Sequence, residues 1–249
     1  MFALGEIMAK AALAVLETAL RAKKLDRTLT TALPSLERTD AAALAPTGIS
    51  ALDTCLRGGL PRGQLSEMAG PCSSGRTTLL LTLVAAATQR GEIAAVVDTS
   101  DRLDVASVIA AQTDVERLLW VRGDAAGSID RAIDRALKAL NLVLQAGGFG
   151  VVALDLADVP LLALKRIPFT TWMRVQRIVE GSDTACLLVV PEPLARSAGG
   201  VTLTLTGKTA WAGDSDRSRR VDGLDVCIRV VSPRRKFEGD IGVRCGVGL

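Results

Sequence analysis

The residues with the clearest chemical meaning are Gly70-Pro-Cys-Ser-Ser-Gly75-Arg76-Thr77-Thr78, a complete G-x-x-x-x-G-x-T spacing between an apolar run and a helical stretch. In that setting the glycines allow a tight turn and backbone N–H groups converge on phosphate oxygens. The helix starting near Gly75 adds the positive end of its dipole. The spacing predicts a phosphate-binding loop made of Gly70, Ser73, Ser74, Gly75, Arg76, Thr77 and Thr78. Thr77 stands where a hydroxyl would ligate Mg²⁺. Arg76 stands where the pattern asks for lysine, and its broad planar guanidinium attracts phosphate without fitting the lysine's place between the β- and γ-phosphates. Two readings stay open: a weak or altered nucleotide site, and a turn of vestigial shape that joins strand to helix and holds nothing.

The second half of such a site is a strand ending in an acid. Val151-Val-Ala-Leu-Asp155, after Gly147-Gly-Phe-Gly150, supplies it, with Asp155 placed to hold Mg²⁺ through water. Elsewhere the composition excludes more than it offers. The 249 residues contain no histidine and no tyrosine, which removes Ser-His-Asp and Cys-His triads, imidazole metal sites and imidazole acid–base chemistry. Cys55, Cys72, Cys186, Cys227 and Cys245 are far apart and form no C-x-x-C, a pattern of reduced thiols that predicts a cytoplasmic protein without a signal peptide. Cys72 reads as a small filler in the loop, with oxidation sensing as the sharper alternative. Trp120, Trp172 and Trp211 read as core or interface residues before base-stacking ones.

Thirty Lys+Arg against 27 Asp+Glu give a net charge of +3, too small to argue for nucleic acid alone. The cations nevertheless cluster at Lys165-Arg166, Arg174/Arg177, Arg217/Arg219/Arg220 and Arg234-Arg235-Lys236. With 49% hydrophobic and 23% charged residues the chain builds a core, and no apolar run reaches the ~18 residues of a membrane span.

The elements that must position these residues alternate along the chain. Apolar runs at Leu65–Ala69, Ile93–Asp98, Leu118–Val121, Val151–Leu156 and Ala185–Val190 lie between helical stretches near 75–90, 104–112, 127–146 and 168–181. Continuously apolar strands between helices predict an α/β fold, a mostly parallel sheet covered on both faces. Gly147-Gly148 stops the third helix and Pro168 opens the fourth. Val201–Thr206 and Val226–Val231 predict an antiparallel β extension at the carboxy-terminal side. Before all of this, residues 3–24 carry Leu4, Met8, Leu13, Leu16 and Leu20 at helical spacing, with charged residues between them. The expected division is a helix and linker over 1–45 and a core over 46–249.

Pro46-Thr-Gly-Ile-Ser-Ala-Leu-Asp53, Gly58-Gly-Leu-Pro-Arg-Gly63, Glu67 and the loop from Gly70 to Leu79 together closely resemble the core signature of the RecA recombinase family. Gly223–Val231 and Gly239–Gly246 resemble the closing strands of that core. The resemblance implies a RecA-like P-loop core and, where the site is kept, ATP with Mg²⁺. It implies DNA-binding loops near Asp158–Pro168 and Pro191–Gly200, with Lys165, Arg166 and Arg196 as DNA or partner contacts and Arg234, Arg235 and Lys236 as a further cluster. It also implies an amino-terminal helix whose Leu13, Leu16 and Leu20 dock on a RecA protomer.

The departures point elsewhere. The family's water-activating glutamate falls on Ser100, and its γ-phosphate-sensing glutamine is missing where Leu187–Val190 runs into Pro191-Glu-Pro193. These losses, with Arg166–Trp172 and Pro191–Gly200, resemble the degenerate ImuA-type branch. That branch implies a non-catalytic accessory protein of the DNA-damage (SOS) response, whose partners are RecA, an ImuB-like Y-family polymerase homologue and single-stranded DNA, with no membrane. The alternatives are a DNA-dependent ATPase that recruits Asp98 or Asp101, and a SulA-like cell-division inhibitor.

Overall fold

A computed structural model describes residues 43–124, 127–195, 199–215, 217–232 and 240–246. The expectations placed on Leu13, Leu16, Leu20, Arg196, Arg234, Arg235 and Lys236 lie outside the described residues.

A short hairpin, β1 (Leu44–Ala45) with β2 (Leu60–Pro61), brackets helix α1 (Ser50–Cys55) and leads into β3 (Gln64–Ala69). Helix α2 (Arg76–Gln89), β4 (Ile93–Asp98), α3 (Val105–Ala110) and β5 (Leu118–Arg122) follow. Then come α4 (Ile129–Ala146), β6 (Phe149–Asp155), α5 (Leu161–Leu164), α6 (Phe169–Val179) and β7 (Ala185–Val190). The chain closes with β8 (Thr202–Ala212), β9 (Arg220–Ser232) and β10 (Ile241–Gly246). Eight strands form one sheet in the order β10-β9-β8-β3-β7-β6-β4-β5. From β8 to β5 every pairing is parallel, and β8–β9 and β9–β10 are antiparallel. The mixed α/β architecture expected from the sequence is present, with β8, β9 and β10 as the antiparallel group, which β8 joins to the parallel sheet by running parallel to β3 along Thr202–Thr204.

The central strands are apolar on both faces because helices cover both. On β6, Val151 and Ala153 face the core under α1 and α2, while Val152 and Leu154 face the one under α4 and α6. Helix α4 buries Ile133, Ala136, Leu140, Val143 and Leu144 as one stripe and stops at Gly147, whose φ of 69° suits a glycine after the last turn. Helix α6 starts at Pro168 and buries Trp172, Val175 and Val179. Trp172 is therefore a core residue. Among the described residues no helix is long and apolar enough to cross a membrane.

Candidate functional site: a P-loop with its cation turned inward

The loop from Gly70 to Gly75 lies between the end of β3 and the start of α2, the strand–turn–helix placement that its spacing predicts. Gly75 caps α2 in the left-handed region (φ 90°), and a Cβ there would lie 2.5 Å from Val226 Cγ2 on β9, so glycine is required twice over. On β8, a Cβ at Gly207 would run into the Ser73 carbonyl. The long hairpin thus presses on the loop and fixes its shape from one side. Ser73 is exposed with φ 60°, and Thr77 and Thr78 are exposed on the first turn of α2. Ser74 is buried, and its Oγ has no hydrogen-bond partner among the described residues.

Arg76 departs from the loop. It is 6% exposed, and its Nη1 donates to the Ala157 carbonyl at 3.4 Å, just beyond the end of β6. Asp155 lies in the same cluster, with Oδ1 accepting from Ala157 N at 2.8 Å. Burial pushes the Asp155 carboxyl up to about 6, helped by the negative charges of Asp98 and Asp158 and opposed by the Ala157 N–H and Arg76. The structure therefore brings Arg76 and Asp155 together, as the two halves of the motif require.

Ser100, the position the resemblance gives to the water-activating glutamate, is half-buried. Asp98, the register partner of Asp155 on β4, is buried, and its Oδ2 accepts from Leu103 N (2.8 Å) and Trp120 Nε1 (3.3 Å). Arg122 stacks over the Trp120 ring at 4.7 Å and makes a two-bonded pair with Asp101, both contacts 2.8 Å. Those hydrogen bonds hold the Asp101 carboxyl below its usual range. Neither acid that could replace the missing carboxylate beside Ser100 is free of other partners. The backbone turn fits a phosphate group, but the side chains do not fit a hydrolysable Mg²⁺–nucleotide. The cation is drawn inward, the strand-end acid is largely desolvated, and a hydroxyl stands where a base is needed.

The two loops flanking the site are tied to the scaffold and to each other. The stretch expected as the first DNA loop contains α5, and Lys165 after it reaches Glu192 of the second loop at 3.6 Å. Arg166 is exposed. The second loop is held at both ends by β3. Glu67 Oε2 accepts from Leu194 N (2.8 Å) and Ala195 N (2.9 Å), Oε1 accepts from Thr202 Oγ1 (3.2 Å), and Ser66 Oγ accepts from Val201 N (3.1 Å). Sequence reading gave Glu67 no task, although an acid within a strand as buried as Leu65–Ala69 was a signal that something must satisfy it.

Two other parts of the signature are structural. Asp53 Oδ1 accepts from both Thr47 N and Thr47 Oγ1 at 2.7 Å, closing the turn before α1. Arg62 ties the Leu44, Gly150 and Asp183 carbonyls to Glu92, a fan of contacts that nothing in the sequence announces. Cys72 is exposed on the loop, and Trp211 is 53% exposed with Arg219 over its ring.

A strand–loop–helix phosphate cradle at the carboxyl ends of a parallel sheet, continued by a three-stranded antiparallel wing, defines a RecA-type P-loop core. Comparison agrees. The family model of the RecA N-terminal domain matches residues 15–163, and the chain belongs to that family. It is 39% identical to protein RecA of Thermus thermophilus over 111 residues, 44% of this chain and 31% of that protein. It is 38% identical to protein RecA of Symbiobacterium thermophilum over 111 residues, 44% of this chain and 30% of the other. With protein RecA of Salinispora tropica it shares 38% identity over 114 residues, 45% and 31%. The match spans about a third of the length of these relatives.

Proposed function

We propose that this chain is a non-catalytic, ImuA-type accessory protein of the DNA-damage (SOS) response. It supports translesion, mutagenic DNA synthesis by binding RecA or a Y-family-like polymerase partner of the ImuB kind. The observation that carries this reading is Arg76, buried and bonded to the Ala157 carbonyl in a loop whose shape is otherwise kept. A phosphate cradle that retains its glycines while its cation turns inward, beside Ser100 and the engaged Asp98 and Asp101, fits a surface retained for recognition after hydrolysis was given up. Binding through that surface needs no histidine, metal or nucleotide turnover.

The test is DNA-stimulated ATP hydrolysis by RecA of the same organism as this protein is titrated in, with a control that lacks RecA. Inhibition at low stoichiometry and a silent control are expected. Hydrolysis in the control overturns the non-catalytic reading, and no change in either arm removes RecA as the partner and leaves the polymerase homologue to be tested. Deleting residues 1–33 is expected to abolish RecA binding while the circular dichroism of the core is kept, since the Leu13, Leu16 and Leu20 stripe is the docking element the resemblance implies. A truncated protein that binds with unchanged affinity contradicts that role.

Restoring the consensus cation separates the degenerate site from a working one. Arg76→Lys alone is expected to yield no ATP turnover, because the carboxylate beside Ser100 is still missing, and at most to raise nucleotide affinity. ATP turnover by the wild-type chain that this substitution speeds tenfold would instead favour the ATPase reading.

A further inference from the structure

Between Asp158 and Glu180 the chain carries no acid, yet it holds Lys165 and Arg166 in the turn after α5 and Arg174 and Arg177 on α6, all exposed. Among the described residues Arg166, Arg174 and Arg177 make no ion pair, and Lys165 has only the exposed contact with Glu192. Within the same stretch Leu162 is 77% exposed, Phe169 49% and Met173 47%. Phe169, Met173 and Arg177 follow one another at helical i, i+4 spacing, with Arg174 beside them, while Trp172, Val175 and Val179 point into the core. Helix α6 is thus firmly seated: its inner side also supplies Gln176, whose Oε1 accepts from Leu65 N at 2.9 Å. Its outer side alternates uncompensated cations with large apolar side chains that folding leaves in water.

We propose that this face, Leu162, Arg166, Phe169, Met173, Arg174 and Arg177, docks a protein segment in which carboxylates alternate with large apolar side chains. The cations select the charge of the occupant, and the three apolar groups gain by leaving water, so the surface offers both parts of a protein interface. A nucleic-acid strand would use the cations but leave Leu162 and Met173, which offer no stacking plane, without a role. The inference deepens the accessory-protein reading by giving it a second contact surface away from the phosphate loop, and it rests on that reading for the identity of the partner.

The probe is a fluorescein-labelled 15-residue peptide alternating Glu with Leu and Phe, followed by anisotropy against the full chain. Saturable binding is expected, at least tenfold weaker for an all-Glu peptide of equal length. A tenfold loss is expected for Arg174→Glu/Arg177→Glu, and again for Phe169→Ser/Met173→Ser, which leaves the charge unchanged. Leu162→Ser, at the most exposed position, repeats the apolar arm without risk to the core, and thermal midpoints confirm folding.

No saturable binding, or binding that ignores these substitutions, overturns the proposal. Equal displacement by a 15-mer of thymidylate, lost on charge reversal but not on Phe169→Ser/Met173→Ser, assigns the face to nucleic acid and also overturns it. So does a tenfold gain in peptide affinity on deleting residues 1–33, which gives the face to the chain's own amino-terminal segment. In the RecA titration, inhibition by wild type and equally by Arg174→Glu/Arg177→Glu removes this surface and leaves the accessory reading standing. Peptide binding without any effect on RecA keeps the surface and removes RecA as its partner.

Discussion

Replacing Glu67 by alanine is expected to lower stability by about 3–5 kcal/mol. For a domain of this size that moves the thermal midpoint down by about 10 °C. The carboxylate lies in the middle of the sheet, 2% exposed, and spans the gap between β3 and the loop from β7 to β8. Its removal leaves the half-buried N–H of Leu194 and the buried N–H of Ala195 without this acceptor, opens a cavity of side-chain size, and releases Thr202 Oγ1. Glu67→Gln keeps the shape and one acceptor oxygen, so about half the loss is expected. Thermal denaturation of the three proteins decides the matter. A Glu67→Ala midpoint within 2 °C of wild type, on the scale set by that size relation, means that the loop is held by its backbone bonds alone.

The mechanical consequence is as informative as the energy. Residues 191–201 join the strand whose tip carries a sensor in RecA-type motors to the strand that starts the antiparallel wing, and here β3 grips both ends of that connection. In a motor such a segment has to change with the bound nucleotide. Glu67 and Ser66 hold the two described ends of this connection, and Lys165 meets Glu192 on its outer side.

How far the sequence carried these conclusions depended on the kind of interaction. The strands Ile93–Asp98 and Ala185–Val190 were read to the residue because burial on both faces demands uninterrupted apolar runs. The turn from Gly70 to Gly75 and the place of Asp155 at a strand end were legible because backbone geometry and strand termini write themselves into glycine spacing and a terminal acid. The wing was read too short: Thr202–Ala212 and Arg220–Ser232 run past Val201–Thr206 and Val226–Val231 because the outer half of the hairpin is polar and exposed, so only its ladder reveals it. The inward turn of Arg76 could not be read at all, since it depends on the Ala157 carbonyl 81 positions away. The clamp at Glu67 was half-written: an acid among apolar residues announces a partner without naming it.

Asp155 gives the second large effect, and its sign follows from its surroundings. With its carboxyl raised from 3.8 in the unfolded chain to about 6 in the fold, the native state holds a proton that the unfolded state has lost. The group therefore favours folding least at high pH: its contribution falls as pH rises from about 4 to 6 and is flat above that, with a cost of about 3 kcal/mol at pH 7.5. Asp155→Asn removes the charge and keeps an oxygen to accept from Ala157 N. In EDTA, the substituted protein is expected to be more stable than wild type at pH 7.5 by about 2–3 kcal/mol and equal to it near pH 4, so the two denaturation curves converge on acidification. The balance is set by Asp98, Asp158 and burial against Arg76. A substituted protein that is less stable at pH 7.5 would mean that Arg76 and Asp155 form a strong ion pair, and that the cluster is a stabilising lock. The expected gain would mean that the fold keeps this buried acid at a cost to its own stability, with Arg76 too weak a partner to offset its burial.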